Sequence, residues 1–128
     1  MMNMGARSYA VNSYRSGAVA EIEEASPHRL IQMLYEGGLQ RIAVAKGAIQ
    51  RKEIQLKGES IGRAIAIIGG LRSSLDLSQG EMATNLDNLY EYMERRLLEA
   101  NLKNDEGILD EVSGLLREIK SAWDAIAT

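Results

Sequence analysis

A chain of 128 residues fits one domain and buries roughly two-thirds of the surface that its unfolded form exposes, enough for an ordinary core. Fifteen Lys and Arg against eighteen Asp and Glu leave a net charge of -3 with no basic block, which argues against nucleic acid and against an acidic membrane surface as partners. Without cysteine there are no disulfides or thiolate metal sites; the start lacks a signal-like apolar stretch, and the longest apolar run, Ala64 to Ile68, is far too short to span a bilayer, so the expected location is cytoplasmic.

Residues 1–25 carry Tyr9, Val11, Tyr14, Val19 and Ile22 among small and polar residues, without a regular period. This reads as a partly disordered N-terminal arm with enough apolar surface to dock weakly over a groove. Ser26-Pro27 then marks the boundary of the bundle, 26–128. Serine caps a helix, and proline suits the first helical position because its missing N–H would have been unpaired there.

From Pro27 to about Lys52, Leu30, Ile31, Leu34, Gly38, Ile42, Ala45, Ala48 and Ile49 form one apolar face. A second helix is expected from about Gly58 to Leu77 on Ile61, Ala64, Ile65, Ile68, Leu71 and Leu75, with Ile54 in phase for an earlier start. The third, Glu81 to Asn104, has the clearest stripe: Met82, Leu86, Leu89, Tyr90, Met93, Leu97 and Ala100. Ser78, three residues before Glu81, has the spacing of a capping box. Asn104-Asp105 breaks the chain, and Ile108, Val112, Leu115, Leu116, Ile119, Ala122, Trp123 and Ile126 mark a fourth helix. Four amphipathic helices on short links imply an all-α, antiparallel four-helix bundle.

Catalytic chemistry finds little to work with. His28 is the sole histidine, so triads and dyads that pair it with Ser or Cys are hard to assemble, and the paired Glu-x-x-His motifs of di-iron bundles do not occur. The expectation is no enzyme, no metal and no cofactor. A phosphotransfer bundle centred on His28 is a weaker alternative, since that role asks for an exposed histidine in mid-helix and His28 falls in a first turn.

Apolar residues remain that one core does not need. Leu39, Ile67, Leu98 and Leu102 lie well off the inward stripes, and Met33, Tyr35 and Tyr92 lie at their margins. Scattered surface apolar residues are ordinary; a contiguous patch would mark a partner site that suits an amphipathic helix. Glycines at 37, 38, 47, 62, 69, 70, 107 and 114 fall in or at the starts of expected helices and cost up to about 1 kcal/mol each relative to alanine in a helix interior. Close helix approach is the simpler reason for them, and designed flexibility the other.

Three separated stretches, ASPHRLIQMLYEGGLQRI from Ala25, GEMATNLDNLYEYMERRLLEANLKND from Gly80 and EVSGLLREIKSAW from Glu111, resemble the flagellin-specific export chaperones of the FliS family in order and spacing. The resemblance implies a cytoplasmic four-helix bundle that binds the disordered C-terminal segment of flagellin, prevents premature filament assembly and helps deliver the subunit to the flagellar type III export gate. The export-gate protein is then a further partner. The family's N-terminal tyrosine corresponds to Tyr9 or Tyr14. Together with the off-stripe residues, the expected partner-binding set is Tyr9, Tyr14, Met33, Tyr35, Leu39, Ile67, Tyr92, Leu98 and Leu102. The alternative is a helical adaptor for another secretion or regulatory protein.

Overall fold

Ser26 starts the first helix as its place before Pro27 requires. Its Oγ accepts the Arg29 N–H at 3.1 Å and its carbonyl accepts the Leu30 N–H at 2.9 Å, so two donors of the opening turn are satisfied. The computed structural model describes residues 25–126; the arm, with Tyr9 and Tyr14, lies outside the described residues. The core lies within residues 31–126.

Four helices follow in order: α1 (Pro27–Gln50), α2 (Ile54–Ser73), α3 (Glu81–Lys103) and α4 (Glu106–Asp124), with a short 3-10 turn at Leu77–Gln79 before α3. The links are tight because the ends close on themselves. At the end of α1, Lys52 takes a left-handed φ of 59°, which lets the Lys52 N–H reach the Ile49 carbonyl and the Glu53 N–H reach the Ala48 carbonyl, the paired bonds of a Schellman end. At the end of α3 the left-handed residue is Asn104, and Asp105 then caps α4 by accepting the Ile108 N–H at 3.2 Å. This is the break and cap that Asn104-Asp105 suggests in the sequence.

Within residues 31–126 the helices run antiparallel around one core. Polar ties fix the order along α1 and α4, where Gln32 donates to Asp124, Lys46 to Asp110 and Gln50 to Glu106 at 2.7–2.8 Å. Arg72 of α2 meets Asp87 and Glu94 of α3, and Arg96 of α3 meets Glu111 of α4 at 2.7 Å. These half-exposed pairs set register more than stability. Stability comes from the inward stripes: Ile42, Ile61, Ile68, Leu71, Met93, Leu97, Leu109, Val112 and Leu116 are each 1% exposed or less. Small residues let α1 approach its neighbours. A methyl group at Gly38 would lie 3.5 Å from both Ile67 and Leu116, so both helices already touch its backbone.

Two expectations are corrected. The second helix spans Ile54–Ser73: it takes the earlier start that Ile54 allows, and it ends short of Leu77. The Schellman turn leaves Glu53 alone between the left-handed Lys52 and the helix, and the helix ends early where the Ser74 and Leu75 N–H groups turn to the carbonyls of Leu71 and Arg72, with the Ser74 hydroxyl also on Leu71. The capping box does not form either. Ser78 donates instead to Asp76, and Gly80, at φ 107°, occupies the N-cap of α3 without a side-chain cap. Asp76 supplies a nearer, charged acceptor, and the hydrogen bonds from Ser78 hold its carboxyl below the ordinary range.

Candidate partner-binding surface

The stripes of α3 and α4 close the core over most of their length but not at one end. Around the first turns of α3 and the last turns of α4, Met82, Leu86, Leu89, Ile119, Trp123 and Ile126 line a groove of about 570 Å³. Met82 is 83% exposed and Ile126 52%, at the rim; Leu86, Leu89, Ile119 and Trp123 are half-buried along the walls. Asn85 and Glu118 are the polar residues at its edge. A groove of this size with so few polar groups is suited to apolar side chains from an amphipathic segment.

Its floor is Tyr35, which is 2% exposed. The Tyr35 and Tyr90 hydroxyls lie 2.7 Å apart and satisfy each other, so two phenol groups are carried into an apolar layer without an orphaned donor. Burial pushes both phenols above their ordinary value, Tyr90 the more strongly, and the bond from its partner adds to the effect on Tyr90. Both are neutral hydroxyls at any physiological pH.

The other residues singled out in the sequence lie elsewhere. Leu98 and Leu102, 59% and 83% exposed, stand one turn apart on the outer face of α3. Ile67 is half-buried in α2 with its methyl groups over Gly37 and Gly38, and Leu39 packs against the core from α1; Met33 is half-buried. Tyr92 is tied into the α3–α4 seam. Its hydroxyl donates to Glu111 at 2.6 Å and its ring lies 5.9 Å from the Arg95 guanidinium. That bond raises the Tyr92 phenol and, with Arg96, holds the Glu111 carboxyl down. Tyr35 is thus the one expected residue that the groove contains, while Tyr9 and Tyr14 lie outside the described residues.

Met82, Leu86, Leu89, Trp123 and Ile126 belong to the inward stripes by spacing, and periodicity alone does not set them apart. The usable signal is position: they fall in the first turns of α3 and in or just past the last turn of α4, where a stripe can outrun the layer that covers it. Among the described residues no group of acidic or histidine side chains is arranged to hold a metal ion, and no helix is long and apolar enough to cross a membrane.

A family model described as Flagellar protein FliS matches residues 10–128 of the chain. The chain is 55% identical over 120 residues to the flagellar secretion chaperone FliSB of Pseudomonas aeruginosa, an alignment covering 92% of this chain and 95% of that protein. It is 43% identical to the flagellar secretion chaperone FliS of Vibrio cholerae, covering 91% and 88%, and 43% identical to that of Salmonella typhimurium, covering 96% and 90%.

Proposed function

Starting from the fact that this chain belongs to the FliS family, and so is a flagellar secretion chaperone and not an enzyme, we propose that it works in the cytoplasm by holding the disordered C-terminal segment of flagellin until export. The observation that carries this reading is the apolar groove between the ends of α3 and α4. A subunit whose terminal segment is disordered before assembly presents apolar stripes that would otherwise pair with other subunits. Covering those stripes blocks polymerisation by competition, and no nucleotide is needed. The chaperone releases its client at the flagellar export gate, whose protein is the second partner.

Energetics favour a contact larger than one groove. Ordering a disordered segment costs about 2–5 kcal/mol or more, and apolar burial returns about 25 cal/mol per Å². The client therefore runs beyond the groove. Leu98 and Leu102, exposed on the outer face of α3, serve as a second contact, with Met33, Leu39, Ile67 and Tyr92 as further candidates and Tyr9 and Tyr14 contributed by the arm.

Titration calorimetry with full-length flagellin, and with flagellin lacking its C-terminal segment, tests the reading. Binding of the first at one chaperone per flagellin, and loss of binding with the second, is the expected result. Equal binding of both contradicts it by placing the contact on another part of flagellin, and no binding of either favours a helical adaptor for another protein.

A further inference from the structure

A second concavity occupies the end of the bundle opposite the α3/α4 groove. Here Lys52 closes α1 and Asn104 closes α3, both in left-handed conformations, and α2 begins at Ile54. Between them is a pocket of about 340 Å³ walled by Ala48, Ile49 and Ile54, with Lys52, Lys57, Glu53 and Asn104 completing the lining. This is within the ordinary size of a small-ligand site, about 300–1,000 Å³.

Lys57 sets its chemistry. The residue is 8% exposed, yet its ammonium has no carboxylate partner among the described residues. It donates to the main-chain oxygen of Asn101 at 2.9 Å and to the Asn104 side-chain oxygen, both neutral acceptors at the end of α3. Two of three N–H donors are spent, and the charge is offset only by the partial negative charge at the C-terminus of α3, not by a carboxylate. Glu53, the acidic residue of the lining, is engaged by Arg51. Lys52 adds a second, exposed cation. Aliphatic walls beside a cation without a counter-ion match a ligand that carries a carboxylate next to an aliphatic side chain, and attraction across a partly buried gap is stronger than in bulk water.

We propose that this pocket binds the C-terminal carboxylate of a peptide whose last residues are aliphatic. The carboxylate meets Lys57 and Lys52, and the terminal side chain packs on Ala48, Ile49 and Ile54. A chain end fits better than an aspartate or glutamate side chain, because only at a chain end do a carboxylate and an aliphatic side chain branch from one carbon. As an assignment of the client's own terminus, the proposal rests on the reading that the client's C-terminal segment is what the chaperone holds; as a binding site for this chemistry it can be tested separately.

The test uses the whole, isotopically labelled chain and two probes, N-acetyl-leucyl-leucine as free acid and as its amide. The acid should give saturable amide-shift changes at Ile54, Lys57 and Asn104, and the amide should bind about tenfold more weakly, as expected for loss of a charge-assisted hydrogen bond. Lys57→Met should abolish the preference. Because that change also removes two internal bonds, Lys52→Gly is the companion variant: glycine suits the left-handed backbone there, so the fold is kept while the acid's advantage falls several-fold. Equal binding of acid and amide, absence of saturable shifts, or a preference retained in both variants overturns the pocket. Amidating the terminus of the flagellin segment should weaken its binding by a similar factor. If amidation changes nothing while the dipeptide acid still binds, the assignment to the client is overturned; a flagellin titration insensitive to C-terminal truncation would instead sink the client reading and leave the dipeptide result standing.

Discussion

Tyr35 and Tyr90 bring two hydroxyl groups into an otherwise apolar layer, and their mutual bond makes them a coupled pair. Tyr35→Phe leaves the Tyr90 hydroxyl buried without its partner, which should cost about 1–3 kcal/mol by urea denaturation. Tyr90→Phe should cost a similar amount. The double variant orphans nothing, so its loss should be clearly smaller than the sum of the two, and strict additivity would show that the bond is not what holds them. Gly80 is a backbone case. At φ 107° and ψ -156° it occupies a region open to glycine alone, so Gly80→Ala should destabilise by about 1–3 kcal/mol, measured the same way.

Helix α2 shows that two kinds of glycine share one helix. Gly70 has Leu34 within van der Waals reach of an added methyl, but Gly62 and Gly69 have nothing within 4 Å. Close helix approach therefore explains Gly38 and Gly70 and not these two. Gly62→Ala and Gly69→Ala should each stabilise the fold by about 0.5–1 kcal/mol, read as a shift in denaturation midpoint. A loss on either substitution would contradict the open geometry. The α3–α4 seam predicts a pH response. Tyr92 and Arg96 hold the Glu111 carboxyl below its ordinary 4.5, so the folded state favours the ionised form. The resulting stability is fully present above the unfolded value near 4.5 and is lost as pH falls through the lower folded value. Glu111→Gln should flatten that part of the acid limb in denaturation curves taken between neutrality and strongly acidic pH, and an unchanged limb would assign the acid sensitivity elsewhere.

For the whole molecule, periodicity was the most legible signal. Stripes such as Met93, Leu97 and Ala100 could only be helical, and Ser26-Pro27 and Asp105 marked two of the helix starts by donor satisfaction alone. The start of α3 at Glu81 is legible in its stripe, but its cap is not, because two acceptors compete for Ser78 and sequence spacing cannot rank a charged side chain two residues away against a capping partner three away. The groove was hidden for a different reason. A stripe tells which face of a helix points inward, but Met82 and Trp123 belong to the same stripes as Met93 and Val112, and only the lengths and offsets of packed helices decide which layer stays uncovered.

That uncovered layer gives the most direct test of the mechanism. Trp123 is the only tryptophan in the chain and lines the groove, so its emission reports occupancy of this site alone when the partner is a tryptophan-free flagellin C-terminal segment. Titrating that segment should shift Trp123 emission to the blue, with a midpoint matching the affinity from calorimetry, and Met82→Glu should weaken both together by about tenfold, as a charge placed at an apolar rim requires. Calorimetric binding at full affinity with no change in Trp123 emission would place the client elsewhere and contradict the groove as its site.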